Sequence, residues 1–104
     1  MSGPVISVGR GVIVEMTRLA ALEVPGVLRV ARGGPVWRAF FRGPAVAVRT
    51  HGNRVDIRLW VLARPGADLA AIGRQARIAV AGAIERLLGM DLGSVTIVVD
   101  GVGD

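Results

Sequence analysis

The clearest pattern in the chain runs from Arg54 to Arg64, where inward and outward positions alternate almost without a break. Val55, Ile57, Leu59, Val61 and Ala63 fall on one side of the repeat, and Asp56, Arg58, Trp60, Leu62 and Arg64 on the other. Successive side chains of a strand point to opposite faces, so a period of two predicts a strand with one buried face. A shorter version spans Ala45–Thr50, with Val46 and Val48 set against Ala47 and Arg49. His51-Gly52-Asn53 between the two runs suits a hairpin connection. Ser94–Val99, after Gly93, predicts another strand with Val95, Ile97 and Val99 inward and Thr96, Val98 and Asp100 outward. Val27–Ala31 is a short β-like run.

Two other segments carry helical spacing. Val12, Ile13, Met16, Leu19, Ala20 and Val24 predict one apolar face, with Arg10, Thr17, Arg18 and Ala21 on the other side. Ser7 is placed to cap this helix, and Pro25-Gly26 stops it. The second helix has Asp68 as its N-cap and Gly89 as its stop. Its predicted buried stripe is Leu69, Ile72, Ala76, Val80, Ala83 and Leu87, and Gly73 and Gly82 inside it suggest close packing against a neighbour.

The order is α-β-β-β-α-β. A strand that returns after a helix pairs parallel to the hairpin strand by a crossover. Both helices need a surface to cover, which predicts an α+β, two-layer sandwich: a mixed sheet of three to four strands with two helices packed on one face. The opposite face of the sheet is then left open. No repeat or linker divides the chain, so residues 1–104 are expected to form one domain.

Composition narrows the chemistry. There is no Cys and a single His, His51, so thiolate and multi-histidine metal sites are not expected, and no cofactor is. Without Lys no phosphate loop of the Walker type can form. The carboxylates are scattered and no Ser has a base beside it, so an enzyme is not expected. No basic segment precedes an apolar run at the start, and no apolar run is long enough to span a bilayer, which gives the expectation of a cytoplasmic protein without direct membrane insertion. The net charge of +5 comes entirely from Arg spread along the chain.

Two surfaces remain as candidates. The first is the open sheet face, with Arg49, Arg58, Trp60, Leu62 and Val98, edged also by Arg64 and Asp56. Aromatics and Arg are enriched at the centres of protein interfaces. This face is either an interface or a surface covered by the chain's own 33–44 loop. The second is Trp37-Arg38-Ala39-Phe40-Phe41-Arg42, where Pro35 opens a single helical turn and Gly43-Pro44 closes it. Trp37, Arg38, Phe40, Phe41 and Arg42 suit a partner groove or an anionic membrane surface, or else the aromatic side plugs the end of the core. DNA is not expected and RNA is disfavoured: there is no GxxG loop between helices, and Trp60 is the sole aromatic on a strand.

The run Val12-Ile13-Val14-Glu15-Met16-Thr17-Arg18-Leu19-Ala20-Ala21-Leu22-Glu23-Val24-Pro25-Gly26-Val27 resembles the opening signature of the alkaline-shock (envelope-stress) protein family, an apolar helix ending in Ala-Ala-x-Glu-Val-x-Gly-Val. In order there follow a Gly-rich break, Val55-Asp56-Ile57-Arg58-Leu59-Trp60-Val61, then Ala79-Val80-x-x-Ala83-Ile84-Glu85-Arg86-Leu87-Leu88-Gly89, and finally Val95-Thr96-Ile97-Val98-Val99-Asp100-Gly101-Val102. The resemblance implies a small bacterial cytoplasmic protein of envelope homeostasis or stress. It would act by self-assembly, as a homo-oligomer, or by docking on a protein partner anchored in the membrane, which would hold it at the inner face of the cell membrane. It carries no catalytic residues across. The alternative function is an anionic-polymer module, for RNA or a lipid surface, that uses the Arg residues and the 37–42 loop.

Overall fold

The computed structural model describes residues 9–34 and 43–103. The elements follow the expected order: α1 (Arg10–Leu22), β1 (Val27–Val30), β2 (Val46–His51), β3 (Arg54–Ala63), α2 (Leu69–Leu87) and β4 (Asp91–Val102). The fold is α+β, with two helices on one face of a four-stranded mixed sheet.

β3 is the centre of that sheet. It pairs antiparallel with β2 from Val46↔Leu59 to His51↔Arg54, and antiparallel with β1 from Val27↔Ala63 to Val30↔Val61. β4 pairs with it in parallel over nearly its whole length, from Arg54↔Asp91 to Ala63↔Val102. A strand has two edges. β4 fills one, so β1 and β2 lie end to end along the other. The β2–β3 hairpin closes on Gly52-Asn53, with Gly52 at φ +60. A positive φ at the first central residue only is what a II′ turn needs, and Gly takes it without steric cost.

The alternation in β3 holds along its length: Val55, Ile57, Leu59, Val61 and Ala63 are at most 2% exposed. Against them pack Ile72, Ala76, Val80, Ala83 and Ile84 of α2 and Ile13, Thr17, Ala20 and Ala21 of α1. The expected N-cap Asp68 accepts a hydrogen bond from the Ala71 amide at 3.1 Å, satisfying a free donor of the first turn.

Several expectations about the helices are corrected. Ser7 lies outside the described residues, and the N-cap position of α1 is Gly9. α1 is turned about its axis relative to the predicted face: Val12 and Leu19 are about half exposed, at 50% and 47%, while Thr17 and Ala21 are fully buried. Apolar residues surround most of this helix, so they define no single stripe. The small side chains of Thr17, Ala20 and Ala21 let α1 approach both the sheet and α2. Leu69 and Leu87 share the phase of the α2 core stripe but stand 44% and 66% exposed, because the first and last turns overrun the layer beneath. Gly73 has no neighbour within 4 Å of where a Cβ would stand, and beside Gly82 lies only Arg86 of the same helix. Neither glycine marks a close helix approach among the described residues.

β4 is longer than expected and carries two irregularities. Val55 and Ile57 pair with Leu92 and Val95, so Gly93 and Ser94 together oppose Asp56. Val61 and Ala63 pair with Val99 and Val102, so Asp100 and Gly101 oppose Leu62. Each is a two-against-one bulge, a device that re-aims side chains locally.

Candidate functional site

The face of the sheet away from the helices presents Ala47 and Arg49 from β2, Asp56, Arg58, Trp60 and Leu62 from β3, and Thr96, Val98 and Asp100 from β4. Its two ends differ. At the end where β3 finishes, the chain after β1 crosses the sheet. The Ala31 amide donates to the Trp60 carbonyl at 3.1 Å, the Arg32 guanidinium stacks 4.4 Å from the Trp60 ring centroid, and the Gly33 amide donates to the Asp100 carboxylate at 2.7 Å. A Cβ on Gly33 would collide with the Asp100 carbonyl oxygen, so this crossing needs glycine. Gly103 closes the same end by donating to the Ala63 carbonyl at 2.8 Å. Leu62 and Val98 are consequently half-buried. The described part of the 33–44 loop therefore covers one end of the face. Trp37, Arg38, Phe40, Phe41 and Arg42 lie outside the described residues.

The other end is open among the described residues. A recess of about 420 Å³ is lined by Arg10, Arg49, Asp56, Arg58, Trp60 and Ser94, among others. Arg10, at the start of α1, arrives there because its guanidinium donates to the Val48 carbonyl on the outer edge of β2. Arg49 stands opposite Asp56 in the hairpin register, and Ala47 opposite Arg58. The small Ala47 leaves room beside Arg58.

Asp56 lines the recess without forming an ion pair to Arg10, Arg49 or Arg58. Its carboxylate accepts from the Ser94 amide at 2.7 Å and from the Ser94 hydroxyl at 3.1 Å, reaching into the bulge of β4. The Ser94 amide is the main reason its pKa is held below the ordinary 3.8, with smaller help from the Ser94 hydroxyl and the nearby charge of Arg54. Asp100 is similarly engaged by Gly33. Both acids of the face are thus held by backbone amides. No described carboxylate lies within ion-pair range of Arg10, Arg49 or Arg58; the two ion pairs among the described residues are Arg18–Glu15 and Arg54–Asp56.

Of the five residues expected on this surface, Arg49, Arg58 and Trp60 come together at the recess, while Leu62 and Val98 belong to the covered end. Arg64 lies beyond β3, at the far end from Arg49, where its amide bonds Gly26. Sequence reasoning missed Arg10, Arg32 and Ser94. Arg10 falls on the side of its helix opposite the predicted apolar face, and no local signal ties it to β2. Ser94 could have been found only from the bulge, which the alternation pattern does not reveal. His51 ends β2 in the hairpin, exposed, and no three His, Cys, Asp or Glu come together among the described residues.

Comparison of the sequence with protein-family models and with curated proteins finds no match. Solved structures do match. A copper form of a MamM CTD variant is 17% identical with a TM-score of 0.67, covering 91% of this chain and 100% of that one. A nickel form of another variant is 18% identical with a TM-score of 0.65, covering 89% and 99%. A third variant gives 17%, 0.67, 91% and 100%. At these identities the likeness concerns the fold alone: the α-β-β-β-α-β arrangement is shared. No helix among the described residues is long and apolar enough to cross a membrane.

Proposed function

We propose that this chain is a non-catalytic interaction domain of the alkaline-shock kind. It works in the cytoplasm, in envelope homeostasis, by self-assembly or by docking on a membrane-anchored partner. The observation that carries this reading is the two-sided sheet: one face is sealed by both helices, while the other presents Trp60, Arg58 and Arg49 around an open recess. Indole and guanidinium groups supply most of the binding energy where protein surfaces meet. The order and spacing of the sequence motifs support the family.

The test is association of the full chain, read by light scattering after size exclusion and by recovery of bound proteins from membrane and soluble fractions. Trp60→Glu is expected to keep the circular dichroism spectrum while lowering oligomer size or partner recovery. A folded Trp60→Glu protein that associates unchanged overturns the assignment of this face.

Arg10, Arg49 and Arg58, with no carboxylate in ion-pair range among the described residues, favour a second reading, a module for anionic polymers such as RNA or lipid surfaces. It requires binding that weakens steeply with salt, as counterion release dictates. The copper and nickel forms of the MamM CTD invite a metal-binding reading as well, but the arginine-lined recess is poorly suited to a cation, and metal is not part of the function proposed.

A further inference from the structure

We infer that the recess at the open end of the sheet is a receptor for an acidic peptide segment, with carboxylates held by Arg49, Arg58 and Arg10 and an adjoining apolar side chain laid against Trp60. This rests on the interaction-domain reading and specifies the partner's chemistry.

Three guanidinium groups from separate elements converge there: Arg10 from the start of α1, Arg49 from β2 and Arg58 from β3. The two strand arginines occupy outward positions of adjacent rows in the hairpin register. Burial of cations without partners is unfavourable, and here they face solvent, where a guanidinium fork can meet a carboxylate with two parallel hydrogen bonds. The intrinsic acids of the face are withheld from them, since Asp56 is held by Ser94 and Asp100 by Gly33. Three guanidinium groups against the one carboxylate of Asp56 leave the recess net positive and complementary to an incoming acid.

The recess also contains features that select among anions. Asp56 and the Ser94 hydroxyl line it beside the arginines. The Asp56 carboxylate gives the N–H groups of a peptide backbone an acceptor, and a phosphodiester backbone has no such donor to offer it. Arg32 occupies one side of the Trp60 ring, which reduces the ring's use as a stacking platform for successive bases and leaves it as an apolar flank. A volume of about 420 Å³ accommodates a few side chains, not a long groove. These observations favour a peptide over nucleic acid or a lipid headgroup.

The experiment uses the full chain and a fluorescein-labelled Glu-Glu-Leu-Glu-Glu peptide, with Gln-Gln-Leu-Gln-Gln as control, read by anisotropy at low and moderate salt. Saturable binding of the acidic peptide is expected. The control peptide, and the Arg49→Glu/Arg58→Glu protein, should each bind about tenfold more weakly or worse, the loss expected from one or two charged hydrogen bonds. Both arginines are exposed, and an unchanged melting temperature confirms that the variant is folded. The inference is overturned by undetectable binding of the acidic peptide, by equal binding of both peptides, or by an unaffected double variant. It is equally overturned if oligouridylate or phosphatidylglycerol vesicles bind more tightly than the peptide and lose binding in the same variant. Failure of the peptide with a Trp60→Glu protein that still loses association would sink the acidic ligand alone. Peptide binding with normal association of Trp60→Glu would instead sink the broader reading.

Discussion

The two faces of β3 are built from neighbouring residues yet obey different physics. Leu59 is fully buried between the helices and the sheet, while Arg58 beside it in sequence is exposed. The β3 residues of the inner face, Val55, Ile57, Leu59, Val61 and Ala63, are all apolar. Their free energy comes from area removed from water and from close packing, both of which scale with the atoms present. The outer face is held by a few directed contacts: Arg32 on Trp60, Gly33 on Asp100 and Ser94 on Asp56. A domain of this size draws its stability from one core, so the outer face is free to carry chemistry that contributes little to folding.

The largest effect separating the faces should come from Leu59→Ala. Removing a fully enclosed leucine loses transfer free energy and leaves a cavity, at a cost of about 2–5 kcal/mol. Urea unfolding measures it. A cost below about 1 kcal/mol would mean that the helices collapse onto the gap and that the core is less closely packed than its burial indicates.

The helix layer packed on the inner face contains one flaw, in α1. Thr17 is completely buried, and its hydroxyl has no hydrogen-bond partner among the described residues. Thr17→Val keeps the shape and removes the unsatisfied group, so a gain of about 1 kcal/mol is expected. A loss would reveal a partner for the hydroxyl, such as an enclosed water.

These two residues also mark what the sequence could convey. Leu59 lies in a strict period-two run, and a strand of that kind has only two possible orientations, so its burial was legible. Thr17 lies in a helix whose apolar residues run almost all round, and the choice among many phases falls to the tertiary contacts of small side chains. Arg49, Arg58 and Trp60 were placed on one face by the same period of two. What remained invisible depends on contacts distant in sequence: Arg10 reaching β2, the chain after β1 crossing to Asp100, and Ser94 entering the hydrogen-bonding range of Asp56 through a bulge. Periodicity describes one element at a time and contains no information about such encounters.

On the outer face, pH should expose the Asp56–Ser94 contact. Because the folded pKa of Asp56 lies below its ordinary 3.8, the contact's contribution is fully present above that value and is lost as pH falls through the lower folded pKa. Asp56→Asn should flatten that part of the stability profile. Melting curves of the two proteins, taken from neutral pH to below 3.8, should converge in acid. Parallel curves across the range would show that other carboxylates govern acid unfolding.

The smallest expected change in stability is that of Arg58→Glu, and it tests the comparison most directly. Arg58 adjoins Leu59, but its side chain is exposed and no described carboxylate lies in ion-pair range. Reversing its charge removes no packing and breaks no ion pair seen here, so stability should move by no more than about 0.5 kcal/mol. The effect on association should be large, because a carboxylate introduced at the recess repels the acid expected there. Urea unfolding and light scattering on the same samples separate the two quantities. If Arg58→Glu destabilises as Leu59→Ala does, the outer face is part of the folding core and the division between the faces fails. If it alters neither stability nor association, the division stands but the partner binds elsewhere.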